Sequence, residues 1–396
     1  MQNKSSTWIE LNSLAFEDNV KQIKQIIGES VLLSVVVKGN AYGHGLIPVA
    51  QLCQNSSYVD WLCTVSLSEA LLLRKHAITK PILVLSYIDA DPSLAIANDI
   101  DLTMQDIETA LFVHSHAEKI KKPARIHIKI DTGMSRLGFT PENALNAIVQ
   151  LMQLPYLIIY GISTHFCDTT NPASEFTAQQ SARFHTLAHA LANHGIEIPI
   201  KHAANSATTL NHPENRFNLV RIGAAAYGLL RSTDTLHQTP IATWKTRIAF
   251  IRTIPTGSFV SYDLTYQTTE KTIIAILPIG YYNGYNRRLS NNSTVLVYNA
   301  RSQSHVYAPV IGRIAMNHTI INVTHITDAS TDDEVILMGP YEKITPYDIA
   351  QYTQSCNPRE ITTTIHEAIP RTIVENSSEI GTISVSTASN EFCKQS

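Results

Sequence analysis

The chain has 396 residues, 44% of them hydrophobic, and a formal net charge of −3. That length implies two domains or one barrel with an addition, and the near-neutral charge leaves no basic face for nucleic acid or an anionic membrane. Five cysteines (Cys53, Cys63, Cys167, Cys356, Cys393) without CxxC spacing argue against a disulfide framework or a structural zinc site and fit a reducing cytosol. No apolar stretch has the length of a signal or a membrane span, so a soluble, cytoplasmic protein is expected.

The first informative element is Val35-Val36-Val37-Lys38-Gly39-Asn40-Ala41-Tyr42-Gly43-His44-Gly45. A β-branched run ends in a lysine, and small residues follow at once. This reads as a buried parallel strand opening into a tight loop and then a helix. Burial there lowers the pKa of Lys38, which is what a Schiff-base lysine needs. Taken alone, VVVK is more often a lysine that marks a strand end. Further candidate strands follow at Trp61–Val65, Ile82–Leu85, Asp101–Thr103, Arg125–Ile130, Leu157–Thr164, Ile200–Ala203 and Leu219–Ile222, with the first at Val31–Val37. Amphipathic segments lie between them, for example Ser66–His76, Pro141–Met152 and Glu175–His194. Eight strands alternating with helices predict a (β/α)8 TIM-type barrel over residues 1–240. An open doubly wound sheet is the alternative, but no GxGxxG or Walker motif supports it.

From about residue 241 the texture changes. Thr243–Ile254 alternates as one long stretch, and Thr272–Pro278, Thr294–Tyr298, Val306–Ile311, Thr319–Val323 and Glu334–Met338 are short and β-branched. They predict a mostly antiparallel β domain over 241–375. Thr345-Pro346-Tyr347-Asp348 has the form of an N-cap threonine with proline at N1, opening one short helix. The tail 376–396, rich in Ser, Thr and Glu, is expected to be disordered.

Polar residues recur at the C-terminal ends of the barrel strands, where barrel enzymes carry their chemistry. They are Lys38, the Lys129–Asp131 end leading into Arg136, then Thr164-His165, His202 to Ser206, and Arg221 before Gly223.

These stretches, with VSYDLTY (260–266), PIGYYNG (278–284) and VIGRIAMNH (310–318), run in one order along the chain. The chain resembles the alanine racemase family, enzymes that use pyridoxal 5′-phosphate to interconvert L- and D-amino acids. The resemblance implies that Lys38 carries the cofactor and serves as one base, and that Tyr262 serves as the second base from the opposite face. It implies cofactor contacts from Tyr42, Ser206, Arg221, Gly223 and Ala224, with Arg221 on the pyridine nitrogen and His165 linking Arg221 to Tyr262. Arg136 would bind the substrate carboxylate, Lys129 would carry a carbamate beside it, and Met316 and Tyr281 would line the substrate entrance. It further implies a homodimer with shared active sites, in which Tyr262 and Met316 come from the other subunit, and a supply of D-alanine for cell-wall peptide. Two positions depart from the family pattern. Asn317 stands where relatives carry an aspartate, which opens the possibility of a serine racemase or broader specificity. Glu367 aligns with a tyrosine that in some relatives touches the phosphate. A fold-related decarboxylase is the competing enzyme class.

Overall fold

A computed structural model describes residues 6–230, 236–331, 333–355 and 357–375. The tail assigned to 376–396 therefore lies outside the described residues. The described residues form two compact units, one within 15–239 and one made of 6–14 with 240–375. Residues 6–14 thus group with the C-terminal unit, although the sequence-based boundary joined them to the barrel. The reason is a strand, β1 (Thr7–Asn12), that pairs with residues more than 230 positions away. Its inward face is Thr7, Ile9 and Leu11, a short alternation with no neighbouring hairpin partner to advertise it.

The barrel unit holds β2 (Leu32–Val36), β3 (Trp61–Ser66), β4 (Ile82–Tyr87), β5 (Ile100–Met104), β6 (Ala124–Lys129), β7 (Leu157–Ser163), β8 (Ile200–His202) and β9 (Leu219–Ile222). All eight expected strands are present within a few residues of their expected ends. They are parallel neighbours in the order β8-β7-β6-β5-β4-β3-β2-β9. The ring is nearly closed. Between β8 and β9 the Arg221 N–H donates to Ala204 O at 3.0 Å, and Asn218 Oδ1 accepts from the Lys201 N–H at 2.7 Å. Helices cover the outer face of the strands, so β2 reads as an almost unbroken apolar run, while β5, Ile-Asp-Leu-Thr-Met, is buried at every position although its sequence alternates. Helix starts are fixed by side chains that accept orphan amide hydrogens. Ser66, Asp91, Asp106, Ser174 and Asn205 each cap the helix that follows. The helix Ser13–Ile27 is tied to the segment after β9 through Asn19, whose amide bonds the Thr239 main chain in both directions at 2.8 and 3.0 Å.

The second unit adds β10 (Ala242–Arg247), β11 (Phe250–Ile254), β12 (Thr272–Leu277), β13 (Thr294–Asn299), β14 (Ser304–Pro309), β15 (Thr319–Asn322), β16 (Glu334–Met338) and β17 (Arg371–Val374). One sheet runs β14-β13-β16-β10-β1-β17 and a smaller one runs β11-β12-β15. All pairings are antiparallel except β1 with β17. The single alternation over Thr243–Ile254 is two strands in two sheets. It breaks at Ile248 and Ala249, whose N–H groups bond Asp333 O and Ile276 O respectively. Thr345 caps the helix Pro346–Tyr352 in a reciprocal box with Asp348, as its sequence implies. A second helix, Pro358–Thr363, was not expected. Among the described residues no helix is long and apolar enough to cross a membrane.

Candidate active site

Lys38 follows the last residues of β2 and is half-buried. Burial depresses its amine, the Arg136 charge adds to this, and Glu69 opposes it. Downstream the chain does not enter a right-handed helix. Gly39, Asn40, Ala41 and Tyr42 all have positive φ, between 52° and 61°, which makes a left-handed turn costing about 1–2 kcal/mol per non-glycine residue. Hydrogen bonds hold it. Glu69 accepts from the Gly39 and Val65 amides at 2.8 and 3.0 Å, and Asn40 Oδ1 accepts from the Leu46 amide at 2.7 Å. The turn brings Tyr42 back against the end of β9. A Cβ on Gly223 would overlap the Tyr42 hydroxyl and lie 2.8 Å from its Cζ.

Beside that contact, Ser206 Oγ accepts from the Gly223 and Ala225 amides at 3.1 and 3.2 Å. The Ala226 amide bonds Gly223 O. The intervening Ala224 amide has no acceptor among the described residues. Hydroxyls, small residues and an available N–H thus converge at the strand ends, a set suited to a phosphate-like anion.

Arg221 on β9 is 4% exposed. Its Nη1 donates to His202 O at 2.9 Å and lies 2.5 Å from His202 Nδ1. Its Nη2 donates to Thr164 O at 2.8 Å and Ala203 O at 3.2 Å, and faces His165 Nδ1 at 3.4 Å. Burial lowers the guanidinium to about 10, so it is charged at neutral pH. Burial and then Arg221 hold His165 well below the usual imidazole range. Burial, then Arg221 and Arg136, depress Lys129 strongly. Arg136 itself is exposed, on a loop organised by Asp131. That carboxylate accepts from the Gly133, Ser135 and Arg136 amides at 2.9, 3.1 and 3.0 Å. Gln180 ties the neighbouring loops together by donating to Thr132 Oγ1 and His165 O. The barrel therefore gathers Lys38, Tyr42, Lys129, Arg136, His165, Ser206, Arg221, Gly223 and Ala224 on one end.

The second unit carries Tyr262 and Tyr281 on a cavity of about 530 Å³ whose lining also includes Asp263, Arg287, Ile314 and Ala315, next to Met316 in sequence. Tyr262 is 63% exposed and Met316 53%. Around Tyr262 the backbone is strained, with positive φ at Ser261, Asp263 and Leu264. Ser261 Oγ donates to Arg313 O at 2.5 Å, and Asp263 pairs with Arg287 at 3.1 Å and Arg313 at 3.4 Å. The Tyr281 and Tyr282 amides bond Ala315 O and Met316 O at 3.2 and 3.1 Å. Gly280 permits this approach, since a Cβ there would overlap Ala315 O.

Family models for the N-terminal and C-terminal domains of alanine racemase match residues 11–231 and 241–373. The chain belongs to the alanine racemase family. An alanine racemase of Methanococcus maripaludis is 38% identical over 338 residues, 84% of this chain and 88% of the relative. One of Clostridium perfringens is 36% identical over 378 residues, covering 93% and 95%. A solved alanine racemase of Clostridium difficile 630 superposes with a TM-score of 0.87 at 33% identity, covering 95% of this chain and 97% of that one. A histidine racemase from Leuconostoc mesenteroides superposes at 0.83 with 26% identity, covering 94% and 99%. These relatives are isomerases, and the barrel followed by an antiparallel domain is the alanine racemase fold.

Of the two departures from the alanine racemase pattern, Asn317 is exposed beside Met316. Glu367 is exposed too, and its charge acts on Arg371. Sequence reasoning missed several supporting residues: Glu69 and Gln180, and also His127 and Asp101. Their signal was faint because each acts through a main-chain amide or another side chain, in contacts made by folding rather than by spacing. Among the described residues no group of three or more His, Cys, Asp or Glu side chains is placed to hold a metal ion.

Proposed function

We propose that this chain is a cytoplasmic, pyridoxal 5′-phosphate-dependent racemase that interconverts L- and D-alanine. Lys38 and Tyr262 are its two bases, and its D-alanine feeds bacterial cell-wall peptide. The observation that carries the reading is Lys38, an amine depressed by burial at the end of a barrel strand, with an anion cradle and a buried arginine on the same rim. That set suits the cofactor. Ser206, the Ala224 amide and Tyr42 match its phosphate, in a space that one methyl on Gly223 would fill. Lys38 matches its aldehyde, and Arg221 its ring nitrogen. When bound, the cofactor supplies an electron-withdrawing ring that acidifies the α-proton of an amino acid.

The residues divide the rest of the work. Lys38 Nζ removes or returns the α-proton on one face, and Tyr262 Oη does so on the other. Two bases on opposite faces invert configuration, whereas a single base would tend to preserve it. Arg221 donates a hydrogen bond but, as a guanidinium, does not readily release a proton, which tempers side reactions such as transamination. His165 accepts from Arg221 on Nδ1, leaving Nε2–H to donate toward the phenolic oxygen of Tyr262 and so favour its ionised form. Arg136 receives the substrate carboxylate in a bidentate fork. A neutral Lys129 amine adds carbon dioxide and loses a proton, giving a carbamate that orients Arg136. Tyr262 and Met316, both exposed, serve the site of a second subunit in a homodimer, with Tyr281 at the entrance.

A broader substrate range is the second reading. Asn317 presents a neutral amide beside Met316, and a structural neighbour acts on histidine. One screen separates the readings. Each common L-amino acid is incubated with the enzyme in deuterated water, and loss of optical rotation is followed together with α-deuterium uptake. Alanine is expected to react fastest. Carbon dioxide release would instead favour a decarboxylase, and a colourless protein from which borohydride traps nothing on Lys38 would end the cofactor assignment.

A further inference from the structure

Behind Arg221 the barrel interior holds a line of polar side chains that the proposed chemistry does not use. Arg221 Nη1 meets His202 Nδ1 at 2.5 Å, His202 Nε2 meets His127 Nδ1 at 2.9 Å, and His127 Nε2 meets Asp101 Oδ2 at 3.4 Å. Asp101 Oδ1 accepts from Arg125 Nε at 2.7 Å. His127, His202 and Asp101 are fully buried, and the Trp61 and Tyr160 rings pack against His127 with centroids at 5.9 and 6.0 Å.

The line crosses a strand. His127 is on β6 and His202 on β8, while β7 lies between them with Gly161 as the ladder partner of His127. A Cβ on Gly161 would overlap His127 Nδ1 and lie 2.6 Å from Cε1. Gly161 does not have the positive φ that favours glycine. It is there for space, and the space is filled by the imidazole.

The line also has only one polarity. A guanidinium has no acceptor, so His202 Nδ1 must carry a lone pair and its proton must sit on Nε2. That proton is donated to His127 Nδ1, so the His127 proton sits on Nε2 and faces the Asp101 carboxylate. Protonating either imidazole fully, or reversing either tautomer, sets two donors against each other in a dry interior. Burial depresses both histidines. Arg221 adds to this at His202, and Asp101 opposes it at His127.

We propose that Asp101, His127 and His202 are positioning residues, a one-way hydrogen-bond chain over Gly161 that holds Arg221 in place as a pure donor toward the cofactor ring nitrogen. The role rests on the racemase reading. Thr164 O and Ala203 O fix one side of the guanidinium, and the chain fixes the other, with Asp101 as its terminal acceptor.

The test uses the full-length holoenzyme with 15N-labelled histidine, and the His202 and His127 signals are assigned from His202→Gln and His127→Gln. Both imidazoles are expected to be neutral, with the proton on Nε2. His127→Leu removes the acceptor of His202, and its kcat is expected to fall about 10- to 100-fold, as sub-ångström misplacement of a reacting group does, with KM within about threefold. The His202 signals and the cofactor absorbance should shift as well. His127→Gln restores a donor and an acceptor, and should recover most of kcat and the original absorbance. A His202 proton on Nδ1 overturns the proposal. So does a His127→Leu enzyme that loses thermal stability but keeps its kcat and absorbance, since that is a structural role alone. If His127→Leu does not fold, Asp101→Asn is decisive, because Arg125 and His127 bond different carboxylate oxygens and the amide nitrogen that replaces one of them is a donor. Unchanged tautomers and unchanged kcat there would also overturn the proposal. If the wild-type enzyme racemises no amino acid, the functional reading fails by itself, while the spectrum still decides the polarity of the chain.

Discussion

The barrel rim and the Tyr262 turn secure their functional side chains by opposite means. On the rim, Lys38, Lys129, His165 and Arg221 lie in poorly hydrated surroundings, so each charge alters the protonation of the next. Around Tyr262 the side chains are exposed, and position is set by left-handed backbone and glycine-enabled contacts. Burial tunes chemistry at one place, and backbone geometry aims side chains at the other. Substitutions that change charge or volume should therefore hurt the rim most, and those that change only surface charge should hardly disturb the turn.

The largest effect belongs to Lys38→Ala, which removes the amine itself. Turnover should fall by roughly 1000-fold or more, and borohydride reduction followed by peptide mapping should find no labelled lysine at 38. Tyr262→Phe comes next. It should leave cofactor absorbance intact while slowing α-proton exchange of one alanine enantiomer far more than the other. Equal, mild losses for both enantiomers would break the assignment of a second base to the exposed turn. Gly223→Ala adds a methyl where Tyr42 already sits. Overpacking of about 1–3 kcal/mol should appear as cofactor lost on dialysis.

A smaller effect is the acid response of the rim. His165 and His202 have folded pKa values below their unfolded ones, so the unfolded chain binds more protons. Their contribution therefore destabilises at acid pH and fades as pH rises toward the unfolded value near about 6.5. Thermal unfolding of the apoprotein should move upward over that window, and His165→Gln should flatten the slope. The charges facing His165 are Arg221, Lys129, Arg136 and Lys38, all of which deepen the effect. Smallest of all is Asp263→Asn. Its partners Arg287 and Arg313 are solvent-accessible, asparagine tolerates the positive φ at 263, and the stability change should stay under about 1 kcal/mol in a denaturant titration. A larger loss would show that the turn depends on charge after all.

The barrel strands were legible because each is a short segment rich in β-branched or apolar residues, bounded by turn residues and separated from the next by an amphipathic helix. The strand Thr7–Asn12 was not, since a six-residue alternation means little until its partners at 242–246 and 371–374 are in place. Thr243–Ile254 misled for a related reason. No turn residue interrupts it at Ile248-Ala249-Phe250-Ile251, and only the hydrogen bonds of Ile248 and Ala249 to different neighbours show where one strand stops. Among candidate site residues, those that end strands stood out: Lys38, His165, Arg221, Ser206. Residues within strands, such as His127 and Asp101, look like ordinary polar breaks in a pattern.

By itself, the sequence determined which side chains stand at the strand ends and in what order, because an alternating βα pattern carries every strand's end to one rim. It also determined the family. Only the tertiary structure decided which way those groups share their protons. Glu69 reaching Gly39, His127 crossing β7 at Gly161 to reach His202, and Arg221 lacking any acceptor are facts of three-dimensional contact in a dry interior, where each hydrogen bond must run from one donor to one acceptor and the direction of one fixes the next.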